Sequence, residues 1–359
     1  MGGQRIAGEL KRDVSRASHG VDGMKFLRFD NWSTGLLVPE TNKVLDLGRS
    51  LGPFRKINAA AADRISGALP EGADGSWVAM IDNWDGVRDS VSALLSALSS
   101  PNSKLVTKDL ADITLQAPMV AKDSRSFLSA GNIAKHTAQG FKVILGIQQV
   151  AKDVHDDVTK PKQQGEPPWG FSVHPELIVG PDATVAPPSS VKKFDYEGEV
   201  CAVVGSRGRD IPSEKVRIWG FCALNDWSIR DPVLGIGPRI SRGVLSYNLM
   251  KNFDTCTSIG PWLVVDEPFD LYNLSVKTRV NGNIRQDWNT SDMIYSFHET
   301  AAFLSHYLTM KPGDMIASGT GPGCAIESGV ENGLWLRPGD QVEVEVEGAG
   351  ILRNTVGAF

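Results

Sequence analysis

Cysteine is scarce in this chain: Cys201, Cys222, Cys256 and Cys324 are all it has in 359 residues. They stand far apart without metal-type pairing, and three lie in apolar or glycine-rich runs, so a disulfide scaffold is excluded and reduced packing residues are expected. Long apolar runs are also missing. None approaches the roughly 20 residues needed to span a bilayer. The opening MGGQRIAGELKRDVSRASHG has no continuous apolar core of the signal-peptide kind, and Ile6 stands where a myristoylation signal wants Ser or Thr. A cytoplasmic location without membrane contact is the expectation. Positive charge is in short supply, with 37 Lys+Arg against 42 Asp+Glu, a formal charge of −5 and no block of like charges. A general nucleic-acid or anionic-membrane binder needs the opposite balance to neutralise phosphates. The glycines of GIGPRISRG at 235–243 follow no strand and lack the dinucleotide spacing, so no nucleotide cofactor is expected.

What is present is an ordinary globular balance, 41% apolar and 22% charged, in a chain about twice the length of a typical domain. Two units are therefore expected. From Met24 the pattern reads as two or three short strands, and Ala59 to Leu98 reads as helical, with VSALLSAL at three-to-four spacing. SSPNS at 99–103 breaks that pattern. From Leu110 onward short β-branched runs are punctuated by Gly and Pro, and residues 151–175 read as a long loop. VKTRVNGNIRQDW predicts a hairpin at Asn281-Gly282, and QVEVEV predicts a strand with Val342, Val344 and Val346 on one face and a wet Glu face opposite. Between them, Asp292 to Met310 reads as an amphipathic helix carrying His298 and His306. A β-rich body with few helices suits a rolled or barrel-like sheet better than a doubly wound one.

Four segments could carry chemistry. In FDYEGEVCAVVG, a period of two puts Asp195, Glu197 and Glu199 on one strand face that then runs into an apolar interior. Buried carboxylates repel and lose hydration, which demands raised pKa values or a hard cation such as Mg²⁺, Mn²⁺ or Ca²⁺; a solvated strand face is the alternative. In WGFCALNDWSIRD, Asp226 is either a turn residue or the third carboxylate of such a site. His136, after the small-residue loop of SAGNIAKHTAQG, could present a base to a cleft, or serve as a packing group. SGTGPGC at 318–324 follows a strand-like run, and its glycines either form a plain turn or bring backbone amides up to an oxyanion.

Taken together, FDYEGEVCAVVGSRGRDI, GFCALNDWSIRD, LMKNFDTCTSIGPWLVVDE, VNGNIRQDWNTSDMIYS and GDMIASGTGPG resemble the fumarylacetoacetate hydrolase family, in its order and spacing, over about residues 115–359. The resemblance implies an α+β architecture: a mixed β-roll catalytic domain at 111–359, a smaller α/β domain at 24–110 and a polar extension at 1–23. It implies a divalent cation, Mg²⁺ foremost, on Glu197, Glu199 and Asp226, with His136 and Lys251 as catalytic groups. Arg230, Gln286, Gly319, Thr320 and His174 are the implied contacts for a small carboxylic acid substrate, and a homodimer is the implied assembly. The implied reaction is hydrolytic C–C cleavage of a 1,3-dicarbonyl or 2-oxo acid. Decarboxylation, hydration or isomerisation by the same enolate chemistry is the near alternative, and a non-catalytic binding protein the distant one.

Two positions depart from the family pattern. Gln139 stands where many members carry a glutamate three residues after the histidine, so a His-Glu dyad is not available from there. His174 stands where a lysine is common before the proline of the next loop, and it could retune substrate charge preference or share proton transfer.

Overall fold

The computed structural model describes residues 23–359 apart from 74, 101–102, 120–123, 145–161, 237–243, 267–269 and 332. Twelve short strands join in one mixed sheet, whose middle runs in the order Met24–Phe29, Thr257–Val265, Ile218–Asp226, Gly198–Val204, Met315–Ala317, Ser126–Ala130. The strands Gly198–Val204 and Thr257–Val265 are buried at every residue, which is why they read as apolar runs rather than alternations. Pairing begins at the N-terminal end: Met24 lies opposite Val265 and Phe26 opposite Leu263, so the first strands share this sheet with the C-terminal two-thirds.

The two faces of the sheet carry different cores. Val200, Ala202 and Val264 pack against Val276, Val344 and Leu352 of a second, five-stranded sheet. Cys201, Val203, Cys222 and Leu263 belong to the core that includes Trp77, Trp84 and the helices Ala59–Ser66 and Trp84–Ala97. The sheets meet closely at Gly198, where a Cβ would lie 2.0 Å from Thr278 Oγ1 and 3.2 Å from Gln286 Oε1. Only glycine fits that contact.

Where two or three strands are expected there are three, Met24–Phe29, Ser33–Leu37 and Lys43–Asp46. The helical region is broken into Ala59–Ser66, Val78–Asp82 and Trp84–Ala97, and is preceded by an unforeseen helix, Leu47–Arg55, whose N-terminus is capped by Asp46 accepting from Arg49 N–H. Asn281 and Gly282 both have positive φ, 51° and 77°, and join Ser275–Val280 to Asn283–Asn289. That is the hairpin the dipeptide predicts. Val342, Val344 and Val346 are buried, but the opposite face is not simply wet: Glu343 and Glu345 meet Arg353 and Arg279 across the strands, each at 2.6 Å. The predicted helix over 292–310 contracts to Phe297–Tyr307, because Ser296 and Glu299 form a capping box that starts it there.

Of the 151–175 segment, residues 151–161 lie outside the described residues. Trp169–Val173 is a strand paired with Ser126–Ala130, and not loop. Its pattern is weak, with only Val173 fully buried, and the polar residues before it mask it. The FDYEGEV string is likewise two pieces, Phe194–Asp195 and Gly198–Val204, with a break at Tyr196-Glu197.

Candidate active site

The site is assembled on the buried ends of two neighbouring strands. Gly198–Val204 pairs antiparallel with Ile218–Asp226, with Gly198 opposite Asn225 and Glu199 opposite Leu224. Alternation from Cys201 and Cys222 puts Glu199 and Asp226 on the sheet face turned away from the five-stranded sheet. Glu197 joins them from the break just before the strand, fixed by Asn225 Oδ1, which accepts its backbone N–H at 3.0 Å, and by Asp226 N–H donating to its carbonyl. Each of the three offers a carboxylate oxygen, all within 4.8 Å of one another, and each residue is less than 7% exposed. Asp195 does not join them. Its carboxylate accepts from Arg230 Nε and the backbone N–H groups of Ala325 and Ile326, because the strand break turns it toward the loop after the glycine motif.

Positive charge reaches this cluster from two residues. Lys251 Nζ donates to Glu197 Oε2 at 2.5 Å, Asp226 Oδ2 at 2.6 Å and Ser228 Oγ at 2.5 Å. Arg230 bridges Asp195 and Glu197. Burial alone would raise the Glu197 pKa, but Lys251 and then Arg230 outweigh it and hold the carboxyl below its usual range. Burial and the charges of Asp226 and Glu197 push Glu199 well up, with only Gly319 N–H, at 2.9 Å, and Lys251 opposing. Asp226 is pushed up to about 7, by burial and then by Glu197, against the pull of Lys251. Two cations do not satisfy the cluster, and Asp226 Oδ1 is buried without a hydrogen-bond partner among the described residues. An all-oxygen donor set with such an orphaned atom fits a hard divalent cation.

His136 sits on the first turn of the helix Ala134–Ile144, facing the carboxylates. Asn132 anchors the preceding turn, donating to Ser318 O and Tyr295 O and accepting Tyr295 N–H. His136 Nε2 lies 3.7 Å from Glu197 Oε1, while Nδ1 lies 2.6 Å from Glu327 Oε1. Glu327 Oε2 in turn accepts Gly323 N–H at 2.8 Å. Gln139, at the position where the resemblance led us to look for a partner, is exposed. The histidine therefore has its carboxylate, supplied by the short helical turn Ala325–Ser328 and not by its own helix. Glu327 was missed because its signal is tertiary. The one local cue, its place just beyond the glycine motif, is too common to notice.

The glycine motif is buried throughout 318–321. Gln286, fully buried, donates to Thr320 Oγ1, Gly321 O and Cys324 Sγ and accepts Gly198 N–H, while Thr320 Oγ1 donates to Gly198 O. These two side chains tie the motif to the Glu199 strand. The His174 side chain is two-thirds exposed and lies 3.8 Å from Glu176, while its backbone N–H reaches Asn252.

This combination of a mixed roll with a buried carboxylate cluster, a lysine and a histidine–carboxylate pair defines a class, and comparison with known proteins gives the family. Residues 139–357 match the family described as fumarylacetoacetate (FAA) hydrolase C-terminal, and the chain belongs to that family. It is 31% identical to a mitochondrial oxaloacetate tautomerase of Rattus norvegicus over 68% of this chain and 73% of that protein. Among solved structures it is similar to 5-carboxymethyl-2-hydroxymuconate delta-isomerase from Mycobacterium smegmatis, with 28% identity, TM-score 0.53, and 71% and 84% of the two chains covered. The fold alone is shared with maleylpyruvate hydrolase from Sphingobium sp. SYK-6, at 20% identity, TM-score 0.62, and 93% and 99% coverage.

Proposed function

We propose that the chain is an enzyme that moves protons on small 2-oxo or 1,3-dicarbonyl acids in the presence of a divalent cation, and that its reaction is hydrolytic cleavage of a C–C bond. The observation that carries the reading is the His136–Glu327 pair at 2.6 Å, set with its free nitrogen toward a buried, under-compensated carboxylate cluster. Glu197, Glu199 and Asp226 would hold the cation, Mg²⁺ or Mn²⁺ by their oxygen-only chemistry. When bound, it supplies Lewis acidity toward substrate oxygens.

The rest falls to the protein's own groups. A carboxylate oxygen at 2.6 Å accepts, so Nδ1 of His136 carries the hydrogen and Nε2 is free to take a proton from water. The hydroxide oxygen bonds to the carbonyl carbon, the adjacent C–C bond breaks, and its electron pair leaves on the departing carbon. That carbon regains a proton from His136, closing the balance. Lys251, as an ammonium, and the backbone N–H groups of the glycine motif are placed to offset negative charge developing in between. Gln286 and Thr320 hold that motif in position.

A second reading has its own support. Relatives above 25% identity include a tautomerase and an isomerase, reactions that need proton transfer at carbon and no water attack. Product analysis with acylpyruvates and enol-oxaloacetate separates the two. Metal-stripped protein should be inactive and recover with Mg²⁺ or Mn²⁺, and His136→Asn should lower kcat by about 10²–10⁴. Full turnover by Glu199→Ala without bound metal, or no turnover of any acid on the panel, overturns the proposal.

A further inference from the structure

Cys324 closes the glycine motif and has no part in the chemistry above, yet it lies against the catalytic histidine. Its Sγ, His136 and a Glu197 oxygen all lie within 4.8 Å of one another. A tetrahedral zinc ion separates nitrogen, sulfur and oxygen donors by about 3.5 Å, so closure by roughly an ångström would bring them into range. The surroundings are built for a ligand nitrogen. Metal-binding histidines typically give their second N–H to a carboxylate, which fixes the tautomer and raises basicity. Glu327 Oε1 lies 2.6 Å from Nδ1 of His136 in this arrangement, and Glu327 is itself pinned by Gly323 N–H.

The sulfur is held in a polar setting too. Gln286 Nε2, which also donates to Thr320 Oγ1 and Gly321 O, lies 3.3 Å from Cys324 Sγ. Burial and the nearby charges of Asp195, Glu197 and Glu327 keep the metal-free thiol protonated, with Arg230 opposing; the same three carboxylates make the spot attractive to a cation. A coordinating metal removes the thiol proton outright. Cys324 is 2% exposed, whereas the His136 side chain, 17% exposed, gives an approach from solvent.

We propose that His136 Nε2, Cys324 Sγ and Glu197 form a second cation site of mixed nitrogen, sulfur and oxygen donors, sharing Glu197 with the all-oxygen site and selective for zinc-class transition ions. Thiolate and imidazole favour zinc or cobalt over magnesium, so the two sites sort cations by ligand softness. Occupation releases the Cys324 proton to solvent and uses the Nε2 lone pair, which withdraws His136 from proton transfer. Zinc is then an inhibitor of the magnesium-loaded enzyme; this consequence rests on the role proposed for His136, while the site itself does not.

The test is a cobalt(II) titration of the reduced full-length protein in excess Mg²⁺, read as near-ultraviolet thiolate-to-cobalt absorption. The wild type should develop the band and Zn²⁺ should bleach it. Cys324→Ser should lose it while keeping its far-ultraviolet circular dichroism, Glu327→Gln should keep the band with about 10- to 100-fold weaker cobalt affinity, and His136→Asn, which loses a ligand, should weaken cobalt binding further still. The last two variants leave the sulfur in place, so the proposal stays open to refutation even if Cys324→Ser does not fold. No band in the wild type, a band that survives in Cys324→Ser, or unchanged affinity in His136→Asn overturns it. Absence of turnover in every metal form would sink the catalytic reading alone, since the absorption does not depend on activity.

Discussion

An imidazole takes a proton at Nε2 only while Nδ1 keeps its own, and something must hold that tautomer through the cycle. In His136 the holder is Glu327, 191 positions away in the chain. A negative carboxylate also stabilises the imidazolium formed in between, which the amide of Gln139 could not do. Glu327→Gln should therefore lower kcat by about 10- to 100-fold with KM little changed, and Glu327→Asp should restore part of the loss. Steady-state kinetics decide this; equal kcat in Glu327→Gln and wild type would remove the residue from the mechanism. At this scale the sequence was partly legible. Glu197 and Glu199 stand out as alternate acids of one string and Asp226 as the acid that ends an apolar run, the five ordered motifs contain Lys251, and His136 stands out as a histidine after a small-residue loop. The company each residue keeps was not legible. Asp195 looked like a third acid of the same row, and the two-residue break at Tyr196-Glu197 sends it to Arg230 instead.

Elements differ in how local their causes are. The hairpin at Asn281-Gly282 is written in the dipeptide, since both central positions need positive φ. The strand Trp169–Val173 is not, because its identity comes from pairing with Ser126–Ala130 and its own pattern is short and half-exposed. The helix Phe297–Tyr307 lies between these cases: its periodicity is local, but its start depends on Ser296 and Glu299. Burial of Glu299 alone would raise its pKa, but Ser296 and Lys162 outweigh it and lower the value below the usual range. A carboxyl with a depressed folded-state pKa stabilises above the unfolded value, near 4.5, and loses that contribution as pH falls through the folded value. The difference in melting temperature between wild type and Glu299→Gln should therefore be full at neutral pH and shrink toward zero below about pH 4. A difference independent of pH would assign the effect to the neutral hydrogen bonds of the cap.

For the whole molecule, the carboxylate cluster ties cation binding to stability. Three acids buried together against one lysine and a shared arginine leave repulsion that a divalent ion relieves in the folded chain only. An ion at a hundred times its Kd should add about 2.7 kcal/mol of stability, and Glu199→Ala should abolish most of that response. Thermal melts with Mg²⁺ and with chelator measure it, and identical melts would mean that the cluster is satisfied without a metal. The sheet that carries the cluster runs from Met24 to Ala317, so the response should appear as one cooperative transition rather than a shift confined to residues 111–359.

By itself the sequence determined what depends on short range: no long apolar run, no basic footprint, alternation along the buried strands, the turn at Asn281-Gly282, and the motif order that marks the family. Tertiary structure decided what depends on which distant groups meet in the buried interior. It brought Glu327 and Cys324 to His136, set Lys251 between Glu197 and Asp226, and left Asp226 Oδ1 without a partner among the described residues. The physical reason is that a charge on an exposed chain is screened within a few ångströms of solvent, whereas in this interior its chemistry is set by the nearest donors and acceptors. Those neighbours come from strands, turns and a helix far apart in the chain, and no local pattern records which of them meet.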